Sequence, residues 1–169
     1  AGFSIQLEYG GEYNFTYCTA ASYGVDGEAI RMGNAICLDP ACGAFVANRL
    51  QARFQNCILF GGRADQITLF DRVDDPAMFD YEFKNCIVRV RDLLKDNAYP
   101  DFLMHCQPCI NADGQDTIFL DPNRYNFRLD TMRSIANRYG APVPGVDKDL
   151  DGKMRDAGIP DAGCYEIEF

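Results

Sequence analysis

The chain has 169 residues, 47% of them hydrophobic, and a formal charge of −9. That length and apolar content suit one domain with one core and exclude a disordered chain. The acidic balance argues against a nucleic-acid partner, which Lys and Arg would have to hold, and against a basic helix lying on a membrane.

The opening stretch, AGFSIQLEYGG, has no basic leader and starts inside an alternating, strand-like pattern. It reads as the remainder of a longer chain, so the missing leader says nothing for the cytosol. Next come strand patterns broken by Gly and Asp: SIQLEYGGEYNF, GEAIRM, NRLQARF, DQITLF and MFDYEF. No long window has helical periodicity. No apolar run approaches the roughly 20 residues that span a bilayer, so the chain is expected not to be transmembrane.

Three of these strands end in nearly the same words: FTYCT at 15–19, FQNCI at 54–58 and FKNCI at 83–87. Residues i and i+3 of a strand point to opposite faces, yet Phe and Cys both read as interior. A left-handed residue between them resolves the conflict by turning the chain. Asn tolerates that conformation best among non-Gly residues. Asn56 and Asn85 stand at that position, and Tyr17 replaces Asn in the first copy. The pattern describes one corner of a parallel β-coil. Stacked coils would give ladders of Phe15, Phe54 and Phe83, of Cys18, Cys57 and Cys86, and of Asn56 and Asn85. The predicted fold is therefore all-β, a right-handed parallel β-helix. Residues 1–110 would form its coils, with a long loop at about 33–48, and 111–169 a final coil and cap. A β-sandwich is the alternative, but no Asn-Gly or Asp-Gly hairpin separates clean strands in the repeat region.

The repeats and the tail together resemble the C-terminal part of pectin-lyase-like repeat proteins from the surface of gram-negative gut and oral anaerobes. The tail segments that carry the likeness are FLDPNRYNFRL, SIANRYG, DLDGKMR and DAGCYE, and Ser134-Ile135 departs from the pattern by lacking a Pro after Ser. The resemblance implies the right-handed β-helix, export to the periplasm or cell surface, and a parent that is lipid-anchored. Its known members include polysaccharide lyases and hydrolases, so fold alone does not carry a function. Two functions stand open. One is a non-catalytic module that binds glycans or belongs to an assembly of envelope proteins. The other is the C-terminal portion of a lyase or glycoside hydrolase acting on acidic polysaccharide, with its active site mostly on other coils.

Candidate site residues follow from chemistry. Arg89 and Arg91 alternate onto one outward face after the third repeat, where an acidic sugar would meet them, although such charges are commonly a solvated face. Tyr9, Tyr13, Tyr23 and Tyr99 could stack on sugar rings. Asp147, Asp149 and Asp151 begin like a calcium loop, but the twelfth position is Gly158, not Glu. No cofactor is expected, with Ca²⁺ as the exception to test. The plainer reading has Asp149, Asp151 and Arg155 tying the terminal turn together, Arg155 through a carboxylate such as Asp161.

The eight cysteines divide by context. Cys37 and Cys42, in the 33–48 loop, are the disulfide candidates. The HCQPC stretch at 105–109 is a lone Cys-x2-Cys beside the only His, short of the four ligands a structural zinc wants. Its remaining readings are a loop disulfide or two half-buried thiols. The ladder cysteines should be reduced and buried.

Overall fold

The computed structural model describes residues 4–24, 27–73, 75–95 and 97–167. Its strands are β1 (Ile5–Leu7), β2 (Gly11–Thr16), β3 (Thr19–Ser22), β4 (Ile30–Gly33), β5 (Ala35–Cys37), β6 (Phe45–Ala47), β7 (Leu50–Gln55), β8 (Ile58–Gly61), β9 (Ile67–Phe70), β10 (Phe79–Lys84), β11 (Cys86–Val88), β12 (Cys109–Asn111), β13 (Phe119–Asp121) and β14 (Asn126–Leu129). They form sheets in the orders β1-β4-β9, β10-β7-β2, β12-β11-β8-β3, β13-β14 and β5-β6. The first three are parallel. The last two are antiparallel.

This corrects the expected right-handed parallel β-helix and the pectin-lyase-like solenoid. The protein is a small all-β domain of several short sheets, each of two to four strands, in which parallel and antiparallel pairing coexist. The physical reason lies in what the repeated motif controls. It fixes register at one corner and leaves the rest of the chain free. The 33–48 segment uses that freedom to make the β5–β6 hairpin, and 119–129 makes another. Among the described residues, the only pairing beyond Leu129 is an isolated bridge between Lys148 and Met154.

At the motif itself the backbone is as the residue types dictate. Tyr17, Asn56 and Asn85 have φ of 53°, 56° and 52°, all left-handed. Phe15, Phe54 and Phe83 are in register across β2, β7 and β10. Their rings stack face to face, with centroids 4.8 Å apart for the first pair and 4.5 Å for the second. Asn85 turns the chain between β10 and β11 as Asn56 does between β7 and β8.

Two apolar clusters form, not one, on opposite faces of the β12-β11-β8-β3 sheet. Cys57, Leu59, Cys86 and Val88 point into the first, with the Phe ladder, Met32 and Ile67. Ile58, Phe60 and Ile87 point the other way, into a second cluster with Ile118, Phe119, Leu129, Ala136, Ala162 and Ile167. Alternating side chains on a strand with both faces covered must all be apolar. Hence every residue of β8 is buried.

The tail from Asp130 lies on this second face and is pinned by polar contacts. Gly163 N donates to Asn56 O at 2.8 Å, and Cys164 N donates to Thr19 Oγ1 at 3.1 Å. Arg155 is buried and donates to Gly163 O at 3.1 Å and to Glu166 at 3.3 Å. Its guanidinium carbon sits 3.8 Å above the Tyr17 ring. This cation–π contact suits a desolvated cation. Arg155 therefore ties the terminal turn to Glu166, while the Asp161 carboxylate accepts the backbone N–H groups of Arg138 and Ile167.

Candidate functional site

The β13–β14 hairpin turns through Asp-Pro-Asn-Arg. Pro122 opens a short 3-10 turn, where its fixed φ and missing N–H cost nothing, and the turn ends at Tyr125 with φ 58°. Phe119 and Leu129 anchor the hairpin in the second cluster. The same turn throws Tyr125 outward, where it is 85% exposed.

Tyr23 leaves the end of β3 and meets this hairpin. Its ring lies nearly parallel to Phe127 at 6.1 Å and meets Phe119 edge-on at 6.3 Å. Partial burial pushes the Tyr23 phenol up to about 12, against the opposing charge of Arg89. At neutral pH its hydroxyl thus keeps its proton and is a donor.

These side chains border three adjoining concavities along β14. The first, of about 430 Å³, lies between Tyr23, Asn123, Tyr125 and Phe127. The second, of about 310 Å³, runs from Phe127 past Thr19 and Cys164 to Tyr165. The third, of about 240 Å³, continues from Tyr165 to Arg128, Asp151 and Lys153. Phe127 borders the first and second, and Tyr165 borders the second and third, so the three form one groove.

Charge in the groove is internally matched. Arg128 grips Asp151 with two N–H groups, Nε at 3.0 Å and Nη2 at 2.8 Å, and lies 5.0 Å over the Tyr165 ring. Glu166 accepts backbone N–H groups from Asp156 and Asp161 as well as Arg155. Burial raises its carboxyl above the ordinary value, against those hydrogen bonds. The other groups along its walls are ring faces, hydroxyls, an amide, the Lys153 side chain and the half-buried Cys164 thiol.

Of the residues singled out from sequence, Tyr23 and Asp151 border the groove and the others lie elsewhere. Arg89 donates to Gly61 O and covers the Phe60 ring at 5.5 Å, so it is packed rather than presented. Arg91 is exposed and paired with Asp92 at 3.2 Å, which with Lys95 holds the Asp92 carboxyl down to about 2. The Tyr99 hydroxyl accepts the Asp71 N–H at 3.3 Å, and its ring packs against the first cluster. Tyr9 sits at a left-handed corner with φ 66°, and the Tyr13 hydroxyl donates to Gly10 O at 3.0 Å.

The three aspartates of the calcium-like loop are also divided. Asp149 is buried and accepts Lys153 N at 2.8 Å and Glu166 N at 2.9 Å. Asp151 is taken by Arg128, and Asp147 contributes its backbone O to Arg155 N. Among the described residues no group of three His, Cys, Asp or Glu side chains is placed to hold a metal ion. Cys37 is bonded to Cys42, bracing the β5–β6 hairpin, and Cys106 to Cys109, while Cys18, Cys57, Cys86 and Cys164 are free thiols.

Of the groove's rings, sequence reasoning pointed only to Tyr23. Tyr125 and Phe127 were visible in FLDPNRYNFRL, where an Asp-Pro turn flanked by aromatics signals an exposed ring at a hairpin tip. Tyr165 carried no such signal, because its place depends on where the tail docks.

Among the described residues no helix is long and apolar enough to cross a membrane. No model of a known protein family, no curated protein and no solved structure matches this chain. The implied lipid anchor therefore rests on the sequence resemblance alone.

Proposed function

We propose that this chain is a non-catalytic module that seats a glycan chain in the groove beside β14. The observation that carries this reading is the line of partly exposed rings, Tyr125, Tyr23, Phe127 and Tyr165, along three adjoining concavities. Sugar rings have apolar C–H faces that suit aromatic walls, and their hydroxyls suit the amide of Asn123 and the phenols. The matched charges argue for binding over chemistry, since a general acid or base needs a proton-transfer group turned toward substrate. An overall charge of −9 favours a neutral glycan over a polyanionic one. Two disulfides favour an oxidising compartment, at the periplasm or cell surface, where envelope proteins are the alternative partners.

Affinity electrophoresis through gels containing neutral or uronic-acid polysaccharides tests this. Retardation by a neutral polysaccharide is expected, and Tyr125→Ala should weaken it roughly 2- to 10-fold, the equivalent of about 0.5–1.5 kcal/mol for one stacked ring. Equal migration of the variant and the parent chain in every gel would reject the groove. A rise in absorbance from an unsaturated uronide product would reject the non-catalytic reading.

A further inference from the structure

The stacked cysteines are not part of the groove. Cys18 immediately precedes β3, Cys57 precedes β8, and Cys86 opens β11. The pairings Thr19 with Ile58, Ile58 with Ile87 and Cys86 with Cys109 put four cysteines at one level of neighbouring strands. Their sulfurs share one pose. The thiols of Cys18, Cys57 and Cys86 donate to the carbonyl two residues back, at 3.5 Å to Thr16, 3.3 Å to Gln55 and 3.3 Å to Lys84. The Cys57 and Cys86 sulfurs also lie 3.5 Å from the Phe15 and Phe54 carbonyls of the adjoining strand.

Cys109 is already bonded to Cys106, which leaves three thiols in the column. Cys57 and Cys86 are shut off from solvent at 0% exposure, whereas Cys18 is only half-buried. A water-borne reagent therefore meets Cys18 first. Strands pair at about 4.8 Å, inside the roughly 4.4–6.8 Å between Cα atoms over which a disulfide closes.

We propose that Cys18 and Cys57 form a peroxide-reactive thiol pair. Cys18 as thiolate attacks one oxygen of a hydroperoxide, ROOH. The O–O bond breaks, Cys18 becomes a sulfenic acid, and RO⁻ takes a proton and leaves as ROH. Sulfur is oxidised and the peroxide reduced. Cys57 then gives up its proton and attacks the Cys18 sulfur. An S–S bond forms, and the expelled hydroxide leaves with that proton as water. The asymmetry of the pair suits these roles: the adjacent Cys57 thiol favours the Cys18 thiolate and lowers it to about 6, and Cys18 is the one partly open to solvent. The neighbouring Cys18 and Cys86 thiols, together with burial, raise Cys57, so it reacts second.

Cys164 is an internal reference, because it is also a half-buried free thiol but burial raises its pKa. The full chain would be titrated with hydrogen peroxide and its cysteines mapped by peptide mass analysis. Cys18 is expected to be consumed at least about tenfold faster than Cys164, with a Cys18–Cys57 crosslink as product. Cys57→Ser should leave a sulfenic acid on Cys18 that dimedone traps, and Cys86→Ser should leave the crosslink unchanged. Equal consumption of Cys18 and Cys164, a Cys18–Cys164 or Cys57–Cys86 bond, or no crosslink in the unaltered chain would each overturn the proposal. The crosslink map of the unaltered chain decides the matter even if a variant fails to fold.

Discussion

Asn56 and Ala141, 85 residues apart, hold each other by two hydrogen bonds: Asn56 Nδ2 donates to Ala141 O at 2.7 Å, and Ala141 N donates to Asn56 Oδ1 at 3.0 Å. The side-chain amide completes a pairing that a strand would otherwise supply. One residue thus turns the corner after β7 and clamps the tail over the second cluster. Tyr17, the first copy's counterpart, reaches the same carbonyl, its hydroxyl donating to Ala141 O at 2.7 Å.

Replacing Asn56 should therefore injure two features at once. Asn56→Ala leaves the Ala141 N–H without its partner and replaces a residue that tolerates left-handed backbone by one that does not, for a loss of about 2–4 kcal/mol in denaturant unfolding. Asn56→Gly removes only the hydrogen bonds and should lose less. An Ala variant within about 0.5 kcal/mol of the parent would contradict the clamp.

The Phe ladder predicts a gradient. Phe54 is stacked on both sides and is 2% exposed, whereas Phe15 has one ring neighbour in the ladder and is half-buried. Phe54→Ala should cost about 3–5 kcal/mol, and Phe15→Ala clearly less, by the same unfolding measurement. Equal losses would mean that the stacking does not set the energetics.

Gly163 is a steric requirement of the docked tail. It has φ 88°, and an added Cβ would come within 2.5 Å of Ile58 Cδ1 and 2.7 Å of Thr19 Oγ1. Gly163→Ala should destabilise by about 1–3 kcal/mol. Gly152→Ala, at φ 82° with open space around it, should cost only about 1 kcal/mol for the backbone conformation. Ile58→Val removes the clashing methyl, so the double variant with Gly163→Ala should lose less than the two single losses combined. Strict additivity would refute the contact.

Two carboxyls should titrate in opposite directions, which carboxyl-carbon NMR across pH 1.5–7 reads directly. Asp92, held by Arg91 and Lys95 and lowered to about 2, favours folding above its unfolded value of about 3.9. That contribution is lost as pH falls toward 2. Asp161 is raised by burial, against its hydrogen bonds from Arg138 and Ile167. Its contribution is present below the unfolded value and is lost as pH rises through the folded one. Matching midpoints for the two carboxyls would contradict both environments.

The repeated Phe-x-(Tyr/Asn)-Cys words determined local matters without any help from tertiary structure. They set the left-handed turns at Tyr17, Asn56 and Asn85 and the all-β class, because backbone sterics and side-chain alternation act within a few residues. The disulfide candidates Cys37 and Cys42 were readable for the same reason, being five residues apart in one loop. Sheet extent was not readable, because nothing in a corner motif says how many strands stack or where antiparallel hairpins interrupt them. Only the tertiary structure decided that the tail packs on the outward face of β8 and β11, splitting the core in two. That choice depends on the fit of Gly163 against Ile58 and of Arg155 over Tyr17, pairs separated by more than a hundred residues. The groove follows from it, since Tyr165 meets the hairpin only once the tail has docked.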